Sequence, residues 1–196
     1  MINAIILSAG ESKRMGKLKP LLKFNDKTFI EQIISILQLS NVDRITVVLG
    51  AEAEKIKNSI DLSGIHIVIN KDYKKGQLSS LITAIKNTPE ETEAILVCLV
   101  DNPFITEELT NKIVEEYKKN KYPIIIPVYQ GQNGHPALFD RSLFDELLNA
   151  PEDKGARYVI YKNEEKVFKL ETNDRGAIIG INSLEDYYIY FGTKPE

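Results

Sequence analysis

The stretch LSAGESKRMGKLKP, residues 7–20, decides how the rest of the chain is read. It closes the apolar run AIILS that starts at Ala4, and it brings Gly10, Gly16 and four positive charges together at the end of an expected strand. A P-loop needs four residues between its glycines, followed by Lys and then Ser or Thr. Here five residues separate Gly10 from Gly16, and Leu18 follows Lys17, so the hydroxyl that would meet magnesium is missing. A dinucleotide fingerprint needs G-x-G-x-x-G and an acidic residue at the end of the second strand. Gly10 has no glycine two positions on, and the second apolar run ends VVLGAE with Gly50 at the turn. What remains is a long basic loop. Lys13, Arg14, Lys17, Lys19 and Lys23 follow one another with no acid between them, in a chain whose net charge is -3. Ligands of open parallel sheets bind beyond the carboxyl ends of the strands, and a loop placed there offers backbone N–H groups and cations to an anion. The reading is a phosphate site.

The rest of the chain agrees with a parallel sheet. RITVVLG from Arg44, IHIVIN from Ile65, AILVCLV from Ala94 and PIIIPV from Pro123 are β-branched and almost wholly apolar, as strands covered on both faces should be. Helix-length stretches lie between them. Thr28 and Glu31 form a capping box ahead of FIEQIISILQL, Thr106 precedes a helix with a basic last turn, and further helices are expected over Glu52 to Ile60 and Leu78 to Asn87. This alternation predicts an α/β fold, a Rossmann-like three-layer sandwich with a mostly parallel central sheet. After Val128 the rhythm changes. YQGQNGHPALFDR reads as a glycine-rich loop, RSLFDELL and KGARYVIY as helices, KVFKL and AIIGI as strands, and SLEDYYIYF as a closing helix capped by Ser183. Residues 1–192 are therefore expected to form a single domain, in which about 129–192 is a substrate-side elaboration of the part over about 1–128, with a flexible tail at 193–196.

Composition narrows the partners. The mild acidity gives no global attraction for nucleic acid or a membrane surface, so any anion binding must be local. Cys98 is the lone cysteine and lies inside ILVCLV, which excludes an internal disulfide and suits a buried core residue. The apolar N-terminal run is short and meets Glu11 at once, so it is not read as a signal peptide, and a cytoplasmic location is expected.

Outside the basic loop, chemistry-bearing side chains are few. Asp101 stands at the end of the fourth apolar strand in LVDNPF, where it is either a turn former or a hard carboxylate for Mg²⁺ facing the phosphates. Gln77, Ser79 and Ser80 sit where a strand's loop enters a helix, and they either read a base edge or cap that helix. No His–Asp or Cys–His pair suggests nucleophilic catalysis.

At this point the residues resemble a family. SAGESKRMGKLK is similar to the L-x-[AG]-G-x-S-x-R-M-G-x-x-K signature of nucleotidyltransferases related to the molybdenum cofactor enzymes. NKDYKKGQLSSL, LVDNPFIT, NGHPALF, EDKGAR and GINSLEDY resemble, in order, later segments of the molybdenum cofactor cytidylyltransferase branch. The resemblance runs from Ala4 to Tyr187 and implies a fold of the nucleotide-diphospho-sugar transferase type. It implies transfer of CMP from CTP, or of a nucleotide from another NTP, to the phosphate of a molybdopterin-type acceptor, with Mg²⁺ as cofactor. It also implies a transient hand-over to a molybdenum hydroxylase. Carried over residue by residue, Arg14, Lys19 and Asp101 would be catalytic. Leu7, Ala9, Gly10, Gln77, Ser79 and Ser80 would join them around the nucleotide. Asn102, Gly134, His135, Pro136, Lys154 and Arg157 would face the acceptor, and Asp101 and Asn182 would hold the metal. This chain departs from the branch at Gly180 and Asn182, where aspartates are usual, and that weakens the expected metal site. Two alternatives stay open: a nucleotidyltransferase using GTP or a sugar or alditol phosphate, and a non-catalytic carrier of the cofactor.

Overall fold

The computed structural model describes residues 1–195; Glu196, the last residue of the expected tail, lies outside the described residues. β1 (Ile2–Ser8) leads through the basic loop and a small hairpin, β2 (Lys23–Phe24) and β3 (Lys27–Thr28), into α1 (Phe29–Leu39). The alternation continues with β4 (Arg44–Leu49), α2 (Ala53–Ser59), β5 (His66–Ile69), α3 (Gln77–Lys86), β6 (Ala94–Leu99), α4 (Glu107–Asn120) and β7 (Ile124–Tyr129). The second part adds β8 (Gln132–Asn133), β9 (Ala137–Asp140), α5 (Phe144–Leu148), α6 (Arg157–Lys162), β10 (Val167–Glu171) and α7 (Leu184–Phe191).

The main sheet runs β10-β7-β9-β6-β1-β4-β5 and is parallel except for β9, which is antiparallel to both neighbours; β8 pairs antiparallel with β7. Side chains alternate between its faces as the pleat requires. Ala4 and Ile6 of β1, with Leu96 and Cys98 of β6, pack against α1, α2 and α4. Ile5 and Leu7, with Ile95 and Val97, pack against α3, α5 and α6. Cys98 is 1% exposed, and burial pushes its thiol up to about 12, so it is an inert core group.

Local signals account for the helix starts. The Thr28 hydroxyl accepts from Glu31 N while the Glu31 carboxylate takes Thr28 N at 2.7 Å. Thr106 caps α4 through Leu109 N at 3.2 Å. Ser183 and Asp186 form a second capping box at α7.

Two expectations are corrected. AIIGI is not a strand: Arg175–Ile178 is a short 3-10 turn, and the segment after it joins no sheet. Its apolar residues are there to be buried, while its backbone is satisfied elsewhere. Gly176 N donates to Asp174 Oδ1 at 2.8 Å, His135 N donates to Ala177 O at 2.8 Å, and Ile181 N donates to Asp101 O at 2.7 Å. Conversely, the stretch read as a loop contains β8 and β9. Gln130 and Gly131 both have positive φ, 48° and 80°, which is the geometry of a two-residue hairpin turn between β7 and β8. ALFD then fills the slot between β6 and β7.

Tyr117 fastens that inserted strand. It is 1% exposed, and its hydroxyl lies 2.6 Å from Asp140 Oδ2 at the end of β9 and 3.0 Å from Glu93 O before β6. Replacing Tyr117 by Phe removes both contacts and leaves the carboxylate short of a donor, so urea unfolding should show a loss of about 2 kcal/mol.

Candidate active site at the carboxyl ends of β1 and β6

The chain order places β4 and β5 on one side of β1 and β6 on the other, so the connections diverge at the carboxyl ends of β1 and β6. Open α/β sheets have their crevice at such a switch point. A cleft of about 580 Å³ lies there, lined by Ser8, Ala9 and Gly10 from the end of β1 and by Leu99, Val100 and Asp101 from the end of β6.

The basic loop is folded back on itself. Met15 N and Gly16 N donate to Ser12 O at 3.0 and 3.1 Å, and the Ser12 hydroxyl accepts from Lys19 N at 3.0 Å. Ser12 and Gly16 both have positive φ, 53° and 67°. Met15 is the peg: it is 1% exposed and sits in an apolar cluster with Leu22, Phe29, Ile181 and Tyr187. With Met15 pulled inward, Lys13, Arg14 and Lys19 line the cleft. Gly10 lines it too, and a Cβ there would meet nothing within 4 Å, so the space beside its backbone is open. Gly50 explains why this fold has no acid at the second strand's end. A Cβ at Gly50 would come within 2.7 Å of Ala9 O and of the Tyr73 Cβ, so only glycine lets these three segments close together.

Electrostatics favour an anion. Lys13, Arg14, Lys19 and Arg157 line the cleft against the single carboxylate of Asp101. Lys19 Nζ lies 3.0 Å from Asp101 Oδ2 and 2.7 Å from Asn182 Oδ1. Asn182 is itself fixed, because its N–H donates to the Asp186 carboxylate at 2.8 Å in the α7 cap. Two hard oxygens therefore converge on one cation-sized point, which fits a divalent ion that takes one or two protein ligands and completes its shell from substrate. No cluster of three or more His, Cys, Asp or Glu suited to holding a metal occurs among the described residues.

A second pocket of about 430 Å³ adjoins the first, with Leu7, Gln77, Leu99 and Arg157 lining both. Its floor is apolar, including Leu81, Ile126 and Phe139, and its rim carries Gly134, His135, the acids Glu152 and Asp153, and the cations Lys154 and Arg157. The glycine is required at 134, since a Cβ would stand 2.6 Å from Ala177 O. His135 is followed by a cis bond to Pro136.

Most of the residues singled out from sequence thus meet around two joined cavities. Leu7, Ala9, Gly10, Arg14, Lys19, Gln77, Ser80, Asp101 and Asn182 line the first, and Gly134, His135, Lys154 and Arg157 the second. Three do not line either. The Ser79 hydroxyl is turned inward to Gly76 O, Asp72 O and Asn70, so it organises the turn before α3. Pro136 is buried, and Asn102 is a buried brace whose amide donates to Ile179 O at 2.9 Å. Sequence reasoning missed Ser8, Ser12 and Tyr73 as lining residues. Ser8 had a visible signal, a hydroxyl ending an otherwise apolar strand, and its Oγ is buried without a partner.

The class follows from comparison with known proteins: the chain is a member of a nucleotidyltransferase family. The profile of the MobA-like NTP transferase domain matches residues 4–167, and the chain belongs to that family. It is 26% identical over 188 residues to the molybdenum cofactor cytidylyltransferase of Escherichia coli K12, covering 95% of this chain and 93% of that one. It is 28% identical over 206 residues to a probable molybdenum cofactor guanylyltransferase of Methanocaldococcus jannaschii, covering 95% and 96%. It is also 23% identical over 194 residues to the nicotine blue oxidoreductase of Paenarthrobacter nicotinovorans, covering 95% of each. The crystal structure of Rv0371c from Mycobacterium tuberculosis superposes with a TM-score of 0.88 at 24% identity over 98% of this chain and 97% of that one. A manganese complex of the same protein superposes with 0.83 at 22% identity over 98% of each. No helix among the described residues is long and apolar enough to cross a membrane.

His135 supplies a test of this local packing. Burial, reinforced by the nearby Arg157 charge, holds its imidazole below the ordinary value of 6.5, although Asp101 and a backbone contact at Val97 pull the other way. Its Nδ1 is buried without a partner. The unfolded chain then takes up the proton first, so this contribution is present above pH 6.5 and is lost as the pH falls below it. Between about pH 6.5 and about pH 5, stability measured in urea should fall less steeply in His135→Gln than in the parent protein.

Proposed function

We propose that the protein is a magnesium-dependent cytidylyltransferase that joins CMP from CTP to the phosphate of a molybdopterin-type acceptor and releases pyrophosphate. The observation that carries this reading is the pair of joined cavities: one strongly cationic, with a single carboxylate, and one with an apolar floor and a rim of mixed charge, Glu152 and Asp153 beside Lys154 and Arg157. In this reading the first receives a triphosphate and the second a planar heterocycle ending in a phosphate.

In this reading the loop over residues 10–19 receives the polyphosphate. Gly10 leaves the backbone bare beside it. Arg14 grips phosphate oxygens with its planar fork, and Lys19 acts as a point charge beside the reacting group. Gln77 and Ser80 lie at the start of α3 on the cleft wall, where they can meet a base edge. Arg157 lines both cavities and so is placed to hold the acceptor phosphate against the nucleotide, helped by Lys154. An oxygen of the acceptor phosphate attacks the α-phosphorus, the bond from that phosphorus to the β-phosphate oxygen breaks, and pyrophosphate departs with the electron pair. The attacking oxygen is already ionised near neutral pH, so no general base is needed. Asp101 and Asn182 would hold Mg²⁺, which when bound neutralises charge building on the phosphate oxygens. The chain's own residues do the positioning, which is the larger part of such catalysis.

A specific observation keeps a second reading in play. Gly180 and Asn182 replace the aspartates of the cytidylyltransferase pattern, and a Cβ at Gly180 would stand 3.2 Å from Asn182 Nδ2. A side chain at 180 would thus press lightly on the Asn182 amide, and the Gly–Asn pair resembles the G-V-N segment of related sugar nucleotidyltransferases. GTP with the same acceptor, a sugar or alditol phosphate as acceptor, or a pterin carrier without turnover are the competing forms.

Incubating the protein with Mg²⁺, CTP and the molybdopterin-type acceptor should release pyrophosphate, and Arg14→Glu should reduce the rate by about a hundredfold or more, the usual scale for removing a charge that stabilises the transition state. Turnover with GTP or a sugar phosphate instead would reassign the substrate. Binding of the pterin with no turnover by any nucleotide would select the carrier.

A further inference from the structure

Lys19 stands where a metal ion would have to go. Its ammonium takes Asp101 Oδ2 at 3.0 Å and Asn182 Oδ1 at 2.7 Å, the same two oxygens that would ligate Mg²⁺. The side chains of Lys19 and Asp101 are 13% and 24% exposed, so solvent screens the pair only in part. As it stands, one carboxylate, one amide and one ammonium sum to zero charge. A free divalent ion on the same oxygens would face that ammonium with Asp101 as the one carboxylate in contact, since Asp186 is taken up by the Asn182 and Ser183 amides and the Glu11 carboxylate by Lys13, while Arg14 and Arg157 line the same cleft. Like charges this close oppose one another strongly in a partly buried setting. A polyphosphate changes the balance, because it brings the missing negative charge and gives the ammonium new oxygens to move to.

We propose that Lys19 is a placeholder cation: it keeps Asp101 and Asn182 converged when no metal is bound, and it yields only to a divalent ion that arrives with a polyphosphate. Metal binding is thereby made conditional on the nucleotide. The inference rests on the nucleotidyltransferase reading above and deepens it, since the true substrate becomes the metal–nucleotide complex. It separates from a lysine that merely grips phosphate or props the loop. Removing a cleft cation that does not sit on these two oxygens, as in Arg14→Met, relieves only general repulsion and should raise the affinity for free metal much less than removing the placeholder does.

The test follows free Mn²⁺ by its electron paramagnetic resonance signal, with circular dichroism confirming that each variant is folded. The parent protein should take up Mn²⁺ weakly alone and readily with CTP or GTP present. Lys19→Met should bind Mn²⁺ alone at least roughly tenfold more tightly, about 1.4 kcal/mol, and Lys19→Ala, which also lacks the charge and adds no metal ligand, should behave alike. Adding Asp101→Ala to Lys19→Met should abolish the gain. Equal affinity of the parent and both Lys19 variants for Mn²⁺ alone would overturn the placeholder while leaving the nucleotidyltransferase reading standing. Absence of Mn²⁺ uptake by the parent protein even with CTP or GTP would overturn both.

Discussion

The ammonium of Lys19, held at once by Asp101 and Asn182, ties together three segments that are remote in sequence: the loop after β1, the end of β6 and the lead-in to α7. Each of the three depends on the others. The loop is pinned on its far side by Met15, which packs with Leu22, with Phe29 of α1, with Ile181 of the lead-in and with Tyr187 of α7. The lead-in is fixed by the Asp186 carboxylate and by Ile181 N on Asp101 O. Phe24, Phe29, Phe104 and Phe191 then pack ring against ring, with centroids from 5.0 to 6.4 Å apart, so that the closing helix seals the back of the cationic loop. The site is a consequence of that closure rather than of any one motif.

Charge explains why the two cavities differ. In a protein that is slightly acidic overall, the cleft at β1 and β6 concentrates cations because the loop over residues 13–23 has no acid and because α6 turns Arg157 toward the boundary. The neighbouring pocket is floored by the same face of the sheet that forms the second core cluster, so its walls are apolar and its polarity is confined to the rim. A long, mixed ligand spanning both would find its anionic part in one and its flat, less polar part in the other.

Much of this was legible in the sequence, for identifiable reasons. Five of the six parallel strands, β1, β4, β5, β6 and β7, showed as almost wholly apolar runs, and the helix starts showed because Thr28, Thr106 and Ser183 cap through short-range contacts. Position at a strand end picked out Gly10 and Asp101, and resemblance supplied His135, Arg157 and Asn182. What the sequence hid was set by distant partners. ALFD is a strand because a slot exists between β6 and β7, and AIIGI is not one because its backbone is taken by Asp101, Asp174 and His135. Ser79 carries the right chemistry at the right place in the chain, yet Asn70 and two backbone carbonyls turn its hydroxyl inward. The roles of Ser12 and Met15 as tie and peg of the basic loop also depend on neighbours contributed by later segments.

The most direct measurement is a crystal structure of the protein soaked with CTP and Mg²⁺. The account predicts the triphosphate lying along residues 10–19, Lys19 withdrawn from Asp101 onto phosphate oxygen, and the base toward Gln77 and Ser80. Nucleotide bound with its phosphates outside this loop, while Lys19 stays on Asp101 and Asn182, would contradict it.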